Sequence, residues 1–223
     1  MKKLSLIALL ALVCLTVAAQ ANPTGLPTLS KIEQAGKQIK NITATFKEEA
    51  YSAVAKKTTT LDGTLYFNNT NMAMKYNKAE AKDLVINGSM FYMRQNKKSL
   101  RVNTDENYSI RQLRNTLVYC MQGKLQQLAE DQGLAGKQAA NIITTEDSKH
   151  YIITLVSRQK DSYYSKIVLH YEKENCRLVK MRTERMGGDY TIYTISNINE
   201  EADIDAAVFT IPAKSNASAN KSR

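Results

Sequence analysis

The sequence is poor in the residues that build metal and nucleophile sites. Its 223 residues include only two histidines, His150 and His170, and three cysteines. Neither histidine has a partner at the spacing of the usual zinc motifs, and each falls inside an alternating strand pattern. Both are therefore interpreted as ordinary strand residues, and the sequence predicts no metal ligand, no cofactor and no catalytic residue. This absence favours a binding protein over an enzyme.

Motifs for phosphate and nucleic acid are missing as well. The single glycine pair, Gly187-Gly188, is too short for a phosphate loop, lacks the lysine of such a loop and is typical of a hairpin turn. No strand interleaves aromatic and basic residues in the way that a base-stacking surface does. Nucleic acid is therefore not an expected partner.

Long apolar runs are absent after residue 21, which argues against a transmembrane helix. Residues 1–21 have the pattern of a cleaved signal peptide: a basic start, an apolar middle and an Ala-Gln-Ala cleavage site. Lipidation of Cys14 is the alternative, but Val13 and Leu15 beside it do not fit a lipobox. The sequence therefore predicts export, with a mature chain beginning at Asn22.

The predicted mature chain is basic. Without Lys2 and Lys3, 29 basic residues remain against 21 acidic residues, a net charge of +8. This charge favours anionic surfaces, among them phospholipid headgroups. Basic and acidic residues alternate within short stretches such as 182–185, so a solvated mixed surface is the simpler interpretation.

Two cysteines, Cys120 and Cys176, remain after cleavage. An exported protein can form a disulfide, but sequence alone does not show whether the two thiols approach each other. Cys120 lies in a helical pattern beside Leu117 and Met121, so a buried free thiol is equally consistent.

The most informative stretch is 63–93, which predicts four short strands in two hairpins. Apolar residues alternate within it, and turns are expected at 68–71 and 87–89, where Asn and Gly tolerate positive φ. Four of the seven methionines of the mature chain, at 72, 74, 90 and 93, lie here. Methionine is flexible and suits a surface that accepts an irregular apolar partner, although it also serves as a core filler.

Helical and strand patterns flank this stretch. Residues 28–40 predict an amphipathic helix, and residues 108–132 predict a helix that stops at Gly123 and a second, shorter helix. Strands are expected at 42–46 and 99–103, and four more at 150–156, 163–171, 177–184 and 189–198. Residues 22–213 are predicted to form one domain, and 214–223 a disordered tail.

Several of these pieces resemble the family of periplasmic outer-membrane lipoprotein carriers, LolA. The resemblance begins with the strand Gly63-Thr64-Leu65-Tyr66-Phe67, the strand ending at Tyr76 and the Asn87-Gly88 turn before an aromatic-rich strand. It resumes in the closing segments 187–193, 197–198, 204–205 and 208–212. It implies a mainly β fold: a strongly curved antiparallel half-barrel sheet covered by helices.

The resemblance also implies a function and a site. It implies a monomeric periplasmic carrier that shields the acyl chains of lipoproteins, or of another amphiphile, between an inner-membrane release complex and an outer-membrane acceptor. The cavity lining carried over by position is Phe46, Leu65, Phe67, Met72, Met74, Tyr76, Phe91 and Met93. An apolar cavity holds an acyl chain without covalent chemistry, since burying a CH₂ group is worth about 0.8 kcal/mol.

The sequence departs from the family pattern at two points. Asn69 and Thr70 stand where the family has an Arg-Pro pair whose arginine latches the helical lid, and Met74 replaces an expected aromatic residue. Two alternatives stay open: an envelope-stress regulator that binds a protein partner, and an enzyme on the same scaffold. The enzyme would require a buried cluster of charged groups with shifted pKa values inside the cavity.

Overall fold

The computed structural model describes residues 25–78, 82–96, 98–131, 142–157 and 162–213. The predicted signal peptide and the predicted tail lie outside these residues. The described elements are α1 (Gly25–Lys37), β1 (Ile42–Ser52), β2 (Lys57–Asn68), β3 (Asn71–Tyr76), β4 (Lys82–Asn87), β5 (Met90–Gln95), β6 (Lys98–Asn103), α2 (Tyr108–Gln122), α3 (Leu125–Asp131), β7 (Ile142–Glu146), β8 (His150–Val156), β9 (Lys166–Glu172), β10 (Leu178–Glu184) and β11 (Tyr190–Asn199).

All eleven strands belong to one antiparallel sheet in the order β6-β5-β4-β3-β2-β1-β11-β10-β9-β8-β7. The first six strands form a meander. The chain then passes through α2 and α3 to the opposite edge, and a second meander returns until β11 pairs with β1. The edge strands β6 and β7 do not pair with each other, so the sheet is open.

The sheet curves around the helices. Phe91 on β5 and Ile153 on β8 are separated by eight strand positions, which is about 38 Å in a flat sheet. Both are buried in the same hydrophobic cluster, which also contains Ile32 of α1, Leu117 of α2 and Leu128 of α3. The predicted fold class is therefore confirmed: a mainly β, open, curved antiparallel sheet with helices on its concave face.

The convex face of β2–β5 is covered by the end of the described chain. A 3-10 turn, Ala206–Phe209, places Phe209 in a second cluster with Ala73 and Val85. The side-chain amide of Asn87 donates a hydrogen bond to the Phe209 carbonyl at 3.2 Å. This segment therefore stabilises the outer side of the strands whose inner side forms the candidate site.

Most predicted elements are present, with small differences at their ends. Asn69, Gly88 and Gly123 have positive φ values of 62°, 56° and 67°, so the two predicted turns and the predicted end of α2 are confirmed. The first helix covers Gly25–Lys37 rather than 28–40. Strand β7 was not predicted, since three of its five residues are polar.

Two further observations bear on the sequence analysis. Cys120 and Cys176 are both buried and free, and burial raises the pKa of each thiol, which keeps it protonated at neutral pH. Within the described part of the chain, no helix is both long enough and apolar enough to cross a membrane.

Candidate functional site

Three rows of apolar side chains cross the concave face of β1–β5. They form because residues paired directly across neighbouring strands point to the same face. The first row is Phe46, Gly63 and Tyr76; the second is Ala44, Leu65, Met74, Leu84 and Met93; the third is Ile42, Phe67, Met72, Ile86 and Phe91. The eight predicted lining residues all lie in these rows, and their role in binding a cargo stays a prediction.

The helices cover this face. Seven of the eight predicted lining residues are buried, and Met93 is partly buried against the same cluster. Clefts of about 580 and 670 Å³ on the surface of the described residues are lined by none of the eight. Side chains of the helices therefore pack directly on the concave face.

Glycines let α1 and α2 approach closely at their C-terminal ends. A Cβ added at Gly36 would lie 1.9 Å from the carbonyl oxygen of Gln122, and a Cβ added at Gly123 would lie 2.7 Å from the carbonyl oxygen of Ile32. Both obstacles are backbone atoms, which cannot rotate away. The two helices therefore cover the sheet as a closely packed pair.

Side chains fasten this helical pair to both halves of the sheet. The Gln122 amide at the end of α2 donates to the carbonyl oxygen of Asn69 in the β2–β3 turn. The Tyr171 hydroxyl on β9 donates to the Cys120 carbonyl at 2.7 Å. The β2–β3 turn and β9 are therefore each joined to the end of α2 by a hydrogen bond.

Arg177 fastens α1 to the second half of the sheet. Its guanidinium donates to the Ala35 carbonyl near the end of α1 at 2.9 Å and to Glu200 at 2.7 Å. The hydrogen bond from Arg177 lowers the pKa of the Glu200 carboxyl below its usual value. The carboxylate form of Glu200 therefore stabilises the folded state.

This pair predicts a pH effect on stability. A lowered folded-state pKa contributes stability that is present above the unfolded pKa, about 4.3, and is lost as pH falls through the folded-state value. We expect Glu200→Gln to reduce the free energy of unfolding at pH 7 and to flatten its decline between about pH 5 and pH 3. Urea titrations at several pH values check this, with the exposed neighbour Glu201→Gln as control. An unchanged pH slope in Glu200→Gln would contradict the assignment.

One end of the concave face is polar. Glu48 on β1 is 5% exposed and accepts a hydrogen bond from the Tyr76 hydroxyl. Lys82 at the start of β4 donates to both Glu48 oxygens at 3.0 Å, and Tyr193 on β11 lies directly across from Glu48 in the sheet. We call these four residues, Glu48, Tyr76, Lys82 and Tyr193, the rim cluster, because β3 ends and β4 begins there.

The rim cluster is built by the strand period and by one missing side chain. Glu48 shares the inner face with Phe46 because it lies two residues further along β1. Gly63 pairs with both Phe46 and Tyr76, and the two rings meet edge to face with centroids 4.9 Å apart. The sequence analysis missed Glu48 because it lies in the polar run 47–49, although its spacing from Phe46 predicts the same face.

The chemistry of the rim cluster is that of a fixed polar group. Burial and the Glu48 charge raise the pKa values of Tyr76 and Tyr193 well above their usual range. Both hydroxyls therefore stay protonated as donors, far from the range in which a group exchanges protons at neutral pH. The cluster offers hydrogen bonds and a charge pair at the edge of an apolar surface.

A second polar group lies on the outer face. The side chains of Asp147, His150 and His170 offer ligand atoms that lie within 4.8 Å of one another. Burial and nearby Lys180 lower the pKa of His170, whereas hydrogen bonds from His150 lower the pKa of Asp147 to about 2. The sequence does not predict this group, since the two histidines come together only when β8 pairs with β9.

Comparison with known proteins adds information on the fold. No family model matches the sequence, and no curated protein matches it. Among solved structures, an uncharacterized conserved protein from Thermus thermophilus is 9% identical with a TM-score of 0.50, and the match covers 86% of this chain and 96% of that one. At this identity the similarity shows a shared fold.

Two further matches bear names related to the resemblance seen in the sequence. A LolA superfamily protein from Nitrosomonas europaea is 10% identical with a TM-score of 0.39, covering 84% of this chain and 97% of that one. A putative outer membrane lipoprotein-sorting protein domain from Vibrio parahaemolyticus is 11% identical with a TM-score of 0.35, covering 83% and 96%.

Proposed function

We propose that this protein is a periplasmic carrier that binds the acyl chains of lipoproteins, or of a related amphiphile, for transfer to the outer membrane. The observation that carries the proposal is the layered arrangement of the site: a continuous apolar concave face under a separate cover of helices. The sequence supports it with a predicted export signal and with the resemblance to the lipoprotein carriers. Under this proposal the protein performs no covalent step.

Replacement of the helices by an acyl chain on the concave face is energetically reasonable. Each acyl CH₂ moved from water to an apolar surface contributes about 0.8 kcal/mol, so a long chain offsets the helix contacts that it displaces. Met72, Met74 and Met93 adapt to chains of different shape because methionine is unbranched and flexible. The carrier therefore exchanges one apolar partner, its own helices, for another.

Cargo release follows from the same balance. A closed state that buries its own apolar face is stable without cargo, so an acceptor needs only moderate affinity to take the acyl chain. In this proposal the rim cluster contacts the polar part of the amphiphile, with Lys82 and Glu48 offering a positive and a negative charge. An inner-membrane release complex and an outer-membrane acceptor are the partners that this cycle requires.

We expect Gln122→Ala to accelerate uptake of an acyl probe. The change removes the hydrogen bonds from Gln122 to the Asn69 turn. Their loss weakens the closed state by about 1–2 kcal/mol, which raises the population of the open state roughly 5- to 30-fold. Stopped-flow fluorescence of a dansylated fatty acid measures the rate. Gln127→Ala is the matched control, because the bonds that Gln127 forms with described residues lie within α3.

The native protein provides a direct test of whether a cargo is bound. Full-length protein secreted through its own leader is purified from the periplasm, and native mass spectrometry and organic extraction identify bound molecules. Recovery of a lipopeptide or another acyl compound that competes with the probe supports the carrier. A protein that is empty, binds no probe in either variant and instead captures an envelope protein would overturn it and favour the regulator.

A further inference from the structure

The outer face of the sheet brings together three side chains of metal-ligating type. Asp147 lies in the β7–β8 turn, His150 begins β8 and His170 lies on β9. Each offers one ligand atom, and these atoms lie within 4.8 Å of one another. Among the described residues this is the group with the geometry of a metal site, and it is separate from the concave face.

Strand register explains why the two histidines meet. His150 pairs with Glu172, and His170 pairs with Ile152, so the histidines are diagonal neighbours on one face. Their ring centroids are 5.8 Å apart, with an angle of 76° between the planes. The opposite face of these strands carries buried Ile153 and Leu169, which fixes the histidines outward.

The turn holds Asp147 against the first of these rings. Asp147 Oδ1 accepts the backbone N–H groups of Lys149 and His150 at 2.7 Å each. Asp147 Oδ2 lies 3.0 Å from His150 Nδ1. These backbone hydrogen bonds therefore hold the Asp147 carboxylate in position beside the His150 ring.

We propose that Asp147, His150 and His170 bind one divalent transition-metal ion, with zinc as the best fit. One carboxylate oxygen and two imidazole nitrogens are a common three-residue set for zinc, in which water completes the tetrahedron. Two imidazoles favour zinc, copper or nickel over magnesium and calcium, which prefer oxygen ligands. A metal binds neutral imidazole through the ring nitrogen that carries no proton, so each histidine would keep its proton on its other ring nitrogen.

Distances and space are compatible with this ion. Neighbouring ligand atoms on a tetrahedral zinc are about 3.3 Å apart, close to the present separation of Asp147 and His150. His170 must approach by up to about 1.5 Å, and it borders a cleft of about 670 Å³ in which a ring rotation is possible. Glu172 lines the same cleft and offers a further carboxylate.

The charges around the three ligands set the expected affinity for zinc. Lys180 pairs with His170 across β9 and β10 and lines the same cleft, so its positive charge opposes a bound cation. Glu172 partly offsets it. We therefore expect zinc affinity to rise several-fold in Lys180→Gln, since Coulomb repulsion is removed while all three ligands remain.

Calorimetric titration with zinc chloride tests the site on full-length protein secreted through its own leader and purified without a polyhistidine tag. We expect one equivalent of zinc to bind. His150→Ala and His170→Ala are expected to lower the affinity by at least about ten-fold each, and excess magnesium or calcium should not compete. Both cysteines stay in these variants, so zinc held by thiols would persist in them.

Thermal unfolding gives a second readout that does not depend on cargo binding. Zinc should raise the melting temperature of the native protein and of Lys180→Gln, because a ligand that binds the folded state stabilises it. It should not do so in His170→Ala, whose altered side chain is only partly buried and whose folding circular dichroism verifies. No saturable zinc binding, or equal affinity in the native protein and both histidine variants, would overturn the proposal.

Discussion

Gly36→Ala is expected to lower the free energy of unfolding by about 3 kcal/mol, the upper end of the usual cost of overpacking. The added Cβ would lie 1.9 Å from the Gln122 carbonyl oxygen, whereas real contacts of this kind exceed 3 Å. The oxygen is a backbone atom and the Cβ is held rigidly by its own backbone, so relief requires α1 and α2 to move apart. That movement also breaks contacts of Ile32 and Leu117 in the main cluster.

Urea unfolding of Gly36→Ala measures the loss, with Gly25→Ala as the matched control. Gly25 begins the same helix, and the nearest atom to its added Cβ lies 3.4 Å away, an ordinary contact. The control is expected to be neutral or slightly stabilising, because alanine favours helix over glycine. If Gly36→Ala cost no more than the control, the close approach of the two helices would be wrong.

Gly36→Ala also tests whether the helices can separate from the sheet. If the helices separate while the sheet stays folded, apolar concave residues become accessible, and binding of a hydrophobic dye rises before global unfolding. The helix pair would then behave as a displaceable unit, as the proposed carrier requires.

Glu48→Leu is the second change with a large expected effect, a loss of about 3 kcal/mol in the free energy of unfolding. The Glu48 and Lys82 side chains are only 6% and 16% exposed, so the change leaves an ammonium group without its partner in a poorly solvated place. The hydroxyl of Tyr76 loses its acceptor as well. A buried ion pair is costly to break from one side, even where replacing both partners costs little.

A double-mutant cycle separates these two effects. Lys82→Met removes the stranded charge, so Glu48→Leu with Lys82→Met should recover most of the stability lost by Glu48→Leu alone. Glu49→Leu is the control, because Glu49 points to the other face and forms a surface pair with Lys47, which contributes little. Additive losses in the double variant would show that Glu48 and Lys82 are not coupled.

The sequence by itself determined the strands that build the site and the face that each of their side chains uses. Alternation of Leu65 with Phe67, and of Met72 with Met74, defines one apolar side whatever the strands pack against. The turns at Asn69 and Gly88 were readable too, because few residues adopt positive φ easily. Local rules of this kind need no knowledge of distant parts of the chain.

The ends of helices and strands could be predicted less well, since they depend on tertiary contacts as well as on local secondary-structure propensity. The first helix begins at Gly25, ahead of Pro27, because proline is tolerated in the first turn. It ends at Lys37, where hydrogen bonds from Gln38 and Ile39 tighten to the three-residue spacing of a 3-10 turn. Strand β7 was not predicted because its own composition is not typical of a strand. It is a strand because it pairs with β8 at the edge of the sheet.

Tertiary structure alone decided the polar features. Glu48 resembles its charged neighbours Lys47 and Glu49 in sequence. Only the pairing of β1 with β11 and of β2 with β1 and β3 brings Tyr193 and Tyr76 to it. His150 and His170 are twenty residues apart in the chain, and only antiparallel pairing of β8 with β9 makes them neighbours. Periodicity fixes the direction of a side chain, whereas long-range pairing fixes its partners, and chemistry depends on the partners.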